Sequence, residues 1–227
     1  MLCTYNEQKN LEDLIPEIRQ LVPEADVLVI DDNSPDGTGK YVDELSRTDS
    51  RIHVLHRPGK LGLGTATVAG FRYGIEQGYD FLVNLDADWS HPPRFIPTML
   101  QHAAGADVVI GSRYVPGGSV TNWSLKRRLM SRGLNFYART VLGLTTHDNS
   151  GSFRCYQVKT LRKVDWSQTR ASGYAIEEEI LYRLKCIGAT MMEVPIAFEE
   201  RRFGQTKLQI KEAFAAGWIL LRLRLMK

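Results

Sequence analysis

The segment 81–93, "FLVNLDADWSHPP", joins an apolar run to a group of oxygen-bearing side chains. Its first part, 81–85, has the pattern of a buried strand. Asp86, Asp88 and Ser90 follow at alternate positions, and two prolines then mark the start of a helix. A buried strand that leads through polar side chains into a helix is a unit of parallel α/β sheets, and such sheets bind ligands at the strand ends.

The chain on either side of this segment alternates between strand and helix patterns. Strands are predicted at 26–30, from 51, at 81–85 and at 106–113, and helices at 11–22, 39–46, 63–77 and 93–102, with Asn6 capping the first helix. This order predicts an α/β fold in which a mostly parallel sheet is flanked by helices on both faces. "DDNSPDGT" (31–38), "DADWS" (86–90) and "GSRY" (111–114) all fall at strand ends. Three polar clusters are therefore expected at one edge of the sheet.

The pattern becomes less regular after Tyr114. It predicts a glycine loop at 117–118, a basic helix at 126–142, a turn at 147–154, a helix at 176–187, a strand at 193–198 and a last helix from about 208. No linker or repeat interrupts the chain. We expect one domain over 1–210, followed by an amphipathic helix over 211–227.

Composition and charge exclude several classes of protein. With 227 residues, of which 43% are hydrophobic and 24% charged, the chain can bury a sizeable core and is not expected to be disordered. Its net charge of +3 is only mildly basic. This favours an anionic ligand or a membrane surface and argues against nucleic acid, which requires a denser stripe of Lys and Arg.

The cysteines and the apolar runs give further limits. The three cysteines are widely spaced, which favours reduced thiols in the cytosol over a disulfide framework or a zinc site. No signal peptide pattern opens the chain. The longest apolar run, 213–221, is far shorter than the roughly 20 residues that span a bilayer.

Two carboxylates at a strand end suit a hard divalent cation. Mg²⁺ typically takes one or two carboxylates together with waters and phosphate oxygens, so Asp86 and Asp88 predict a metal–diphosphate site. The alternative is that Asp88 caps the following helix and Asp86 is merely solvated. Asp31 and Asp32 end the neighbouring strand, and two adjacent acidic strand ends would repel each other unless a cation or a hydrogen-bonding ligand compensates them. This setting favours the metal site.

The glycine-rich segment "LGLGTATVAG" (61–70) offers a competing interpretation, because Gly62 and Gly64 after a strand resemble a dinucleotide fingerprint. Thr67 occupies the third glycine position, and "HRPGK" (56–60) separates the strand from the glycines. The tight strand–turn–helix geometry is therefore absent, and nicotinamide binding is disfavoured.

Several motifs together resemble one enzyme family. They are "TYNE" (4–7), "VIDDNSPDGT" (29–38), "LGLGTATVAGF" (61–71), "DADWSHPP" (86–93), "GSRYVPGG" (111–118) and "RRFGQTK" (201–207). Their order and spacing resemble inverting family 2 glycosyltransferases of the GT-A (Rossmann-like) fold, and look most like dolichol-phosphate (polyprenol-monophosphate) mannosyltransferases. The resemblance implies transfer of mannose from GDP-mannose to a polyprenyl (dolichyl) phosphate with Mg²⁺ or Mn²⁺, at the cytoplasmic face of a membrane to which the protein binds peripherally.

The resemblance also implies roles for individual residues. Cys3, Tyr5 and Glu7 would line the guanosine pocket, with Ile30 and Asp32 beside the base and ribose. Asp86, Ala87, Asp88 and Ser90 would hold metal and diphosphate, Asp88 and Ser90 as direct metal ligands. Arg113, Arg201 and Lys207 would contact phosphates, and Arg113, Arg127 and Ser131 would bind the acceptor. Asp86, Asp88 and Arg113 form the implied catalytic set.

Each cation has a structural alternative. Arg113 can form a salt bridge to a nearby Asp, and Arg201 can belong to an exposed strand end. The sequence also departs from the family pattern, with Cys3 in place of the usual Pro, Ser152 in place of a Gly, and Ser90 as a weaker neutral ligand than an amide. Only two residues precede Cys3, where the first strand should hold several apolar residues, so we expect the natural chain to begin upstream.

The mechanism and its rivals follow from the chemistry of the acceptor. A polyprenyl phosphate has a second pKa of about 6, so its oxygen is already anionic at neutral pH and no general base is required. Asp148 and Glu179 could orient the sugar or the acceptor loop, or be structural. The rival functions are a family 2 transferase that uses another nucleotide sugar, such as UDP-glucose, and a non-catalytic nucleotide-binding subunit.

The last helix suggests a membrane role. An apolar stripe and a basic side are expected there, formed by Ile210, Phe214, Trp218, Leu221 and Leu225 and by Lys211, Arg222, Arg224 and Lys227. Such a helix can lie on a bilayer. The alternatives are a helix that packs on the core, or the end of a chain cut before transmembrane segments that some relatives carry.

Overall fold

The computed structural model describes residues 1–171, 173–202 and 210–225 of the chain. Its strands are β1 Leu2–Thr4, β2 Val27–Asp31, β3 Ile52–His56, β4 Phe81–Asn84, β5 Val108–Ser112, β6 Ser119–Val120, β7 Arg154–Gln157, β8 Met191–Pro195 and β9 Ala197–Phe198. Its α-helices are α1 Gln8–Leu21, α2 Thr38–Thr48, α3 Leu63–Glu76, α4 Ile96–Ala103, α5 Leu125–Leu142, α6 Val158–Leu161, α7 Ile176–Cys186 and α8 Ile210–Leu225. The alternation confirms the predicted α/β class.

The central sheet has two parts that meet at β1. Strands β1, β2 and β3 pair in parallel, and β4, β7, β5 and β8 form the second part. The Met1 amine donates to Val83 O at 2.5 Å, and Leu85 N donates to Met1 O at 3.3 Å, which is the parallel pattern. The strands therefore form one layer with the order β3-β2-β1-β4-β7-β5-β8, in which β7 alone runs antiparallel.

Helices cover both faces of this layer because the strands are apolar on both sides. On one face, α1 buries Leu11, Leu14, Ile15 and Ile18 against the sheet, a set with the helical spacing of an amphipathic stripe. Burial of each such side chain stabilises the fold by about 1.5–3 kcal/mol. On the other face, α3, α7 and α8 pack into a second cluster. The polar strand ends thus emerge at an edge, between two apolar layers.

The sequence analysis was wrong about three local features. Asn6 does not cap α1: its φ is +63° and Glu7 occupies the cap position. The single strand predicted at 193–198 is two strands, because Pro195 lacks an N–H and Ile196 donates to Ser112 O before β9 pairs with β6. Strand β7 was not predicted at all.

Strand β7 has a sequence that does not indicate a central strand. Its residues, "RCYQ", mix charged and polar side chains with apolar ones, yet all four are buried. The Arg154 guanidinium donates to Glu177 O and to Asn149 O, each at 2.7 Å. These distant partners, together with the nearby Glu177 carboxylate, compensate the buried charge, and no local pattern reveals them.

Gly118 provides a test of the packing around the end of β5. A Cβ at this position would lie 2.6 Å from Ser112 O and 2.8 Å from the carbonyl carbon of Arg113, and neither backbone atom can move cheaply. Gly118→Ala is expected to lower the free energy of unfolding by about 1–3 kcal/mol in urea denaturation. Gly133→Ala is the matched control, because a Cβ there meets nothing within 4 Å and the site lies within α5. It should stabilise by up to about 1 kcal/mol, and equal effects of the two substitutions would contradict the prediction.

Candidate active site

The site lies at the edge of the sheet where the parallel strands β2, β4 and β5 end. Asp31 closes β2, Asp86 follows β4 by two residues, and Arg113 follows β5 directly. All three strands point the same way, since β4 and β5 are both antiparallel to β7. The three clusters that the sequence analysis expected at one edge are therefore brought together.

The acidic loop after β4 is held in a fixed shape. Ser152 donates a hydrogen bond of 2.6 Å to Asp86 Oδ1, and the N–H of Ser90 donates to Asp88 Oδ1 at 3.0 Å. Trp89 between them has a φ of +70°, and its indole donates to Asn10 O. The left-handed residue turns the loop sharply, so that Asp86 is half-exposed while Asp88 is buried.

A buried histidine, His91, contacts both the backbone and the side chain of Asp86. The N–H of Asp86 donates to His91 Nδ1 at 3.2 Å, so this ring nitrogen carries no proton. Burial lowers the pKa of His91 and favours the neutral ring. The approach of 3.7 Å between His91 Nδ1 and Asp86 Oδ2 is therefore not an ion pair. The histidine orients the loop without neutralising the carboxylate.

Ser90 shows that the loop has the character of a ligand site. Its Oγ is buried and makes no hydrogen bond to the described residues. A buried hydroxyl without a partner costs free energy, and the neighbouring Asp88 oxygen suits a shared cation. No group of three or more His, Cys, Asp or Glu side chains in the described part could hold a metal ion. Asp88 and Ser90 offer oxygen atoms, the type of ligand that Mg²⁺ and Mn²⁺ take, and a cation held by these two residues would need further ligands from outside this pair.

Asp88 has a cationic partner in this structure. Arg201 Nε lies 2.9 Å from Asp88 Oδ2, and Arg202 N donates to Asp88 O at 3.3 Å. The guanidinium of Arg202 stacks 3.5 Å from the centre of the Trp89 ring. The segment that carries Arg201 is therefore docked on the acidic loop. Lys207, the other cation of this motif, lies outside the described residues.

Arg113 forms the buried salt bridge that the sequence analysis weighed as its alternative role. Its Nε and Nη2 donate to the two oxygens of Asp148 at 2.7 and 2.6 Å, and its backbone N–H donates to the same carboxylate at 2.9 Å. Asp148 raises the pKa of Arg113 although burial opposes this, and Arg113 in turn holds the pKa of Asp148 low. Within the described residues, Arg113 Nη1 makes no hydrogen bond, so one edge of the guanidinium remains available to a phosphate.

The acidic end of β2 is compensated inside the protein. Arg57 Nη1 lies 2.6 Å from Asp32 Oδ1, and both side chains are buried. Asp31 accepts hydrogen bonds from Thr4 and from the hydroxyl and N–H of Ser34. Hydrogen bonds compensate Asp31 and the Arg57 guanidinium compensates Asp32, so these two carboxylates do not require a metal ion.

Tyr5 and Glu7, two residues predicted to line a nucleoside pocket, follow β1. Lys60 Nζ lies 4.3 Å above the Tyr5 ring. Glu7 accepts a hydrogen bond of 2.6 Å from Asn10, and burial, reinforced by the charge of Asp88, raises the pKa of Glu7. Burial likewise raises the pKa of Asp32, against the effect of Arg57.

Two members of the predicted donor set are buried in the core. Ile30 is fully buried and packs under α3, so its side chain does not reach the surface. Ala87 is also part of the core. Cys3 is partly exposed, and burial of its thiol raises the pKa to about 12, so it is not a nucleophile.

Two of the predicted acceptor residues, Arg127 and Ser131, lie on α5, and the third, Arg113, follows β5. Ser131 and Tyr114 share a hydrogen bond of 2.6 Å, which links the helix to the loop after β5. Burial, together with the charges of Arg201 and Arg113, lowers the pKa of Arg127. The guanidinium groups of Arg113 and Arg127 lie 5.5 and 4.1 Å from the centre of the Trp123 ring, and Arg201 lies 2.9 Å from Asp88. Glu179, by contrast, is structural: it accepts hydrogen bonds from the N–H groups of Arg170 and Ala171 and from Arg183.

Several residues of the site were missed by the sequence analysis. Lys60, Arg57 and Trp123 contact predicted site residues, and Ser152 was noted only as a departure from a pattern. Arg57, Lys60 and Ser152 act through partners that are distant in sequence, whereas Trp123 contacts Arg127 four residues away and Arg113 ten residues away. "HRPGK" placed two cations just after β3, at the predicted site edge, and was the one signal that could have found Arg57 and Lys60.

Comparisons with known proteins agree with this geometry. The family model described as "Glycosyl transferase family 2" matches residues 1–165. The chain is 43% identical to an undecaprenyl-phosphate mannosyltransferase of Micrococcus luteus, over 99% of this chain and 97% of that protein. It is also 43% identical to a polyprenol monophosphomannose synthase of Mycolicibacterium smegmatis, over 96% of this chain and 85% of that protein.

Solved structures share the fold at low sequence identity. Mannosyl-3-phosphoglycerate synthase from Rubrobacter xylanophilus gives a TM-score of 0.72 at 19% identity, over 99% of this chain and 72% of that one. Glucosyl-3-phosphoglycerate synthase from Mycobacterium tuberculosis, in complex with Mn²⁺ and UDP-glucose, gives 0.64 at 20% identity, over 98% of this chain and 77% of that one. These likenesses support the GT-A fold.

Glu178, buried beneath the site, provides a test of its electrostatics. Its Oε2 has no hydrogen-bond partner among the described residues, and burial raises its pKa to about 8. An unfolded glutamate titrates near 4.3, so between about pH 4.3 and 8 the folded state binds more protons and stability falls as the pH rises. Glu178→Gln removes this dependence. The free energy of unfolding of Glu178→Gln minus that of the wild type should be larger at pH 8 than at pH 5, by at least about 2 kcal/mol.

Urea denaturation at a series of pH values measures this difference. Glu12→Gln, on the exposed face of α1, is the control and should give a curve parallel to that of the wild type. A Glu178→Gln curve that is also parallel to the wild type would mean that Glu178 is ionised in the folded protein.

Proposed function

The chain belongs to glycosyltransferase family 2, and on that premise we propose that it transfers mannose from GDP-mannose to the phosphate of a polyprenyl monophosphate. The transfer inverts the configuration of the sugar carbon, because a single displacement links the acceptor oxygen to that carbon. The names of the two relatives at 43% identity support mannose and a polyprenyl phosphate. GDP as the carrier of the sugar rests on the resemblance of the motifs.

The observation that carries the proposal is the meeting of the acidic loop with three arginines. The loop contributes Asp86, Asp88 and the Ser90 hydroxyl, which has no hydrogen-bond partner among the described residues. Arg201 lies 2.9 Å from Asp88, and Arg113 and Arg127 share the Trp123 ring. A site that joins a cation-binding edge to several guanidinium groups suits two phosphate-bearing substrates at once. One is the diphosphate of the donor and the other is the phosphate of the acceptor.

The residues of the donor side would bind the leaving diphosphate. Asp88 and Ser90 would hold a divalent cation, which supplies charge neutralisation for the diphosphate when bound. Arg201 has to exchange Asp88 for the diphosphate when the donor binds, since it now occupies one oxygen of that carboxylate. Arg113 can contribute its Nη1 edge without leaving Asp148, because Nε and Nη2 make the salt bridge. The Asp148 carboxylate thus sets the direction in which Arg113 points.

No side chain has to act as a general base. A polyprenyl phosphate has a second pKa of about 6 and is largely a dianion at neutral pH. Asp148 is engaged by Arg113, and Glu179 by two backbone N–H groups and Arg183, so both are committed to structural bonds. The task of the protein is to align the acceptor oxygen with the sugar carbon and to stabilise the charge that develops on the diphosphate.

Contact with a membrane surface is part of the proposal, because polyprenyl phosphates reside in bilayers. Helix α5 exposes Leu125, Leu129 and Phe136, with fractional exposures of 73%, 60% and 70%. These positions share one helix face with Arg132, and α8 beside it exposes Trp218 and Leu225. Exposed apolar side chains among Lys and Arg are typical of helices that lie in the interface of an anionic bilayer.

The last helix combines two of the roles weighed for it. Leu220 and Leu223 are buried in the core, whereas Trp218, Leu225, Arg222 and Arg224 face outward. Tyr137 of α5 donates to Gly217 O at 3.2 Å, so the two helices form one surface. Among the described residues, no helix has the length and apolar character needed to cross a bilayer. The stripe positions 210 and 214 have no described side chains.

A donor and acceptor panel tests the function. The purified chain is incubated with a short polyprenyl monophosphate and GDP-mannose, UDP-glucose or UDP-mannose, with Mg²⁺, Mn²⁺ or excess chelator. We expect transfer from GDP-mannose with either cation and none in chelator. Asp88→Ala should lower turnover at least about a hundredfold, the scale seen when a transition-state stabiliser is lost. Asp165→Asn, on the exposed turn 165–168, is the control and should keep wild-type turnover.

Each departure from this result has a distinct meaning. Transfer from UDP-glucose alone would replace the proposed donor. Full activity in excess chelator would show that the acidic loop works without a cation. No transfer from any donor, with GDP binding retained in calorimetry, would favour a non-catalytic nucleotide-binding subunit.

Vesicle flotation tests the membrane surface. Leu129→Ser combined with Phe136→Ser should weaken binding to vesicles that contain anionic lipid at least about tenfold, because the two side chains no longer bury apolar area in the bilayer. Ile187→Ser removes an apolar side chain of 41% exposure from the end of α7 and is the control. Equal binding of all three proteins would exclude the α5 face from the membrane contact.

A further inference from the structure

Trp123 lies at the start of the helix that carries the predicted acceptor residues. It directly precedes Ser124, whose hydroxyl caps α5 by accepting a hydrogen bond from Arg127 N at 3.3 Å. Asn122 before it has a φ of +56°, a left-handed turn that reverses the chain after β6. Only 9% of the Trp123 surface is exposed. The indole is therefore turned inward, between the helix and the end of the sheet.

Both arginines of the predicted acceptor site contact this indole. The guanidinium carbon of Arg127 lies 4.1 Å from the centre of the Trp123 ring, and that of Arg113 lies at 5.5 Å. Both distances are within the range of about 6 Å over which a cation is attracted to an aromatic face. Trp is the side chain with the strongest such attraction. One ring thus serves two cations that belong to different elements.

A frame of aromatic rings fixes the indole. Phe198 meets Trp123 edge to face at 5.3 Å, and Phe198 itself lies 5.3 Å from the Arg113 guanidinium and 5.2 Å from His91. Phe198 O accepts a hydrogen bond of 3.0 Å from Thr121 N, so the short β6–β9 ladder holds the two rings together. The position of the indole is therefore set by backbone pairing and not by the helix alone.

The cations beside the indole are costly to hold together. Burial, Arg201 and Arg113 all lower the pKa of Arg127, which means that its charge is disfavoured before an anion binds. An aromatic face offsets part of this cost, because it attracts a cation without neutralising it. The indole N–H is buried and makes no hydrogen bond to the described residues, a cost that Phe or Leu would not carry. Packing alone does not account for tryptophan at this position.

We propose that Trp123 is a positioning residue that holds Arg127 against Arg113, so that the acceptor phosphate and the donor diphosphate are bound in line. This inference rests on the proposed function, in which Arg127 binds the acceptor and Arg113 serves both substrates. Trp123 touches neither substrate in this role. It acts through the two guanidinium groups, and it links the start of α5 to the end of β5.

A double-mutant cycle tests the coupling. Trp123→Leu, Arg127→Met and the double variant are compared with wild type for the KM of a short polyprenyl monophosphate, with saturating GDP-mannose. Trp123→Leu should raise this KM by about threefold to thirtyfold, the range that corresponds to a cation–π contact. In the Arg127→Met background it should change the KM by less than about twofold, since coupled residues are not additive. Trp123→Phe, which keeps an aromatic face, should restore most of the wild-type KM.

The control is Trp166→Leu, because Trp166 is a buried tryptophan that contacts neither Arg113 nor Arg127. It should lower the Tm but leave the KM unchanged. If Trp123→Leu raises the KM as much in the Arg127→Met background as in the wild type, the proposal is overturned, and Trp123 only supports the helix.

A spectroscopic measurement separates this proposal from the proposed function. The Nε–Hε resonance of Arg127, assigned by its loss in Arg127→Met, should be shifted upfield by the indole ring current and should return to the random-coil position in Trp123→Leu. If the wild type transfers no mannose, the proposed function is wrong, and this resonance still reports whether the indole holds Arg127. An Arg127 resonance that does not differ between wild type and Trp123→Leu overturns the proposal whatever the activity.

Discussion

The buried ion pair between Arg113 and Asp148 is the interaction on which the rest of the site depends. Three hydrogen bonds of 2.6–2.9 Å tie the residue after β5 to the loop before β7. Removing one partner of such a pair leaves an uncompensated buried charge and typically costs about 3–5 kcal/mol. The free energy of unfolding of a whole domain is only about 5–15 kcal/mol. The same loop delivers Ser152 to Asp86, and Arg154 joins it to α7. The Arg113–Asp148 pair therefore connects the end of β5 to the acidic loop and to α7.

Three carboxylates of the site share a common arrangement, in which each has an arginine as partner. Arg57 pairs with Asp32, Arg113 with Asp148, and Arg201 with Asp88. The charges of these three carboxylates are thus compensated within the protein. In the proposed function, a diphosphate that takes Arg201 from Asp88 would exchange one partner for another, so the net free energy of that contact would be the difference between two paired states.

The parts of the fold that could be predicted are those with a local signal. The apolar run 81–85, the polar residues after it and the helical spacing of α1 place strands, strand ends and layers from the sequence alone. Strand β7 could not be predicted, because its polar residues are buried only through partners that the fold brings from elsewhere. The ion pairs of Asp32 and Arg113 could not be assigned for the same reason: their partners, Arg57 and Asp148, lie 25 and 35 residues away. The sequence indicates which residue types gather at the strand ends, whereas which of them pair with each other depends on tertiary structure.

Strand β7 also fixes the distance between the ends of β4 and β5. It lies between β4, which leads to the acidic loop, and β5, which leads to Arg113, and it is hydrogen-bonded to both. The two strand ends are therefore separated by two ladder spacings, roughly 9.5 Å in sum. Changes in the loops can redirect the side chains that reach into the cleft, but they cannot alter the span between the two anchors. Changes in the loops would accordingly alter which side chains face the cleft at a constant distance between these two strand ends. A different distance would require a different order of strands in the sheet.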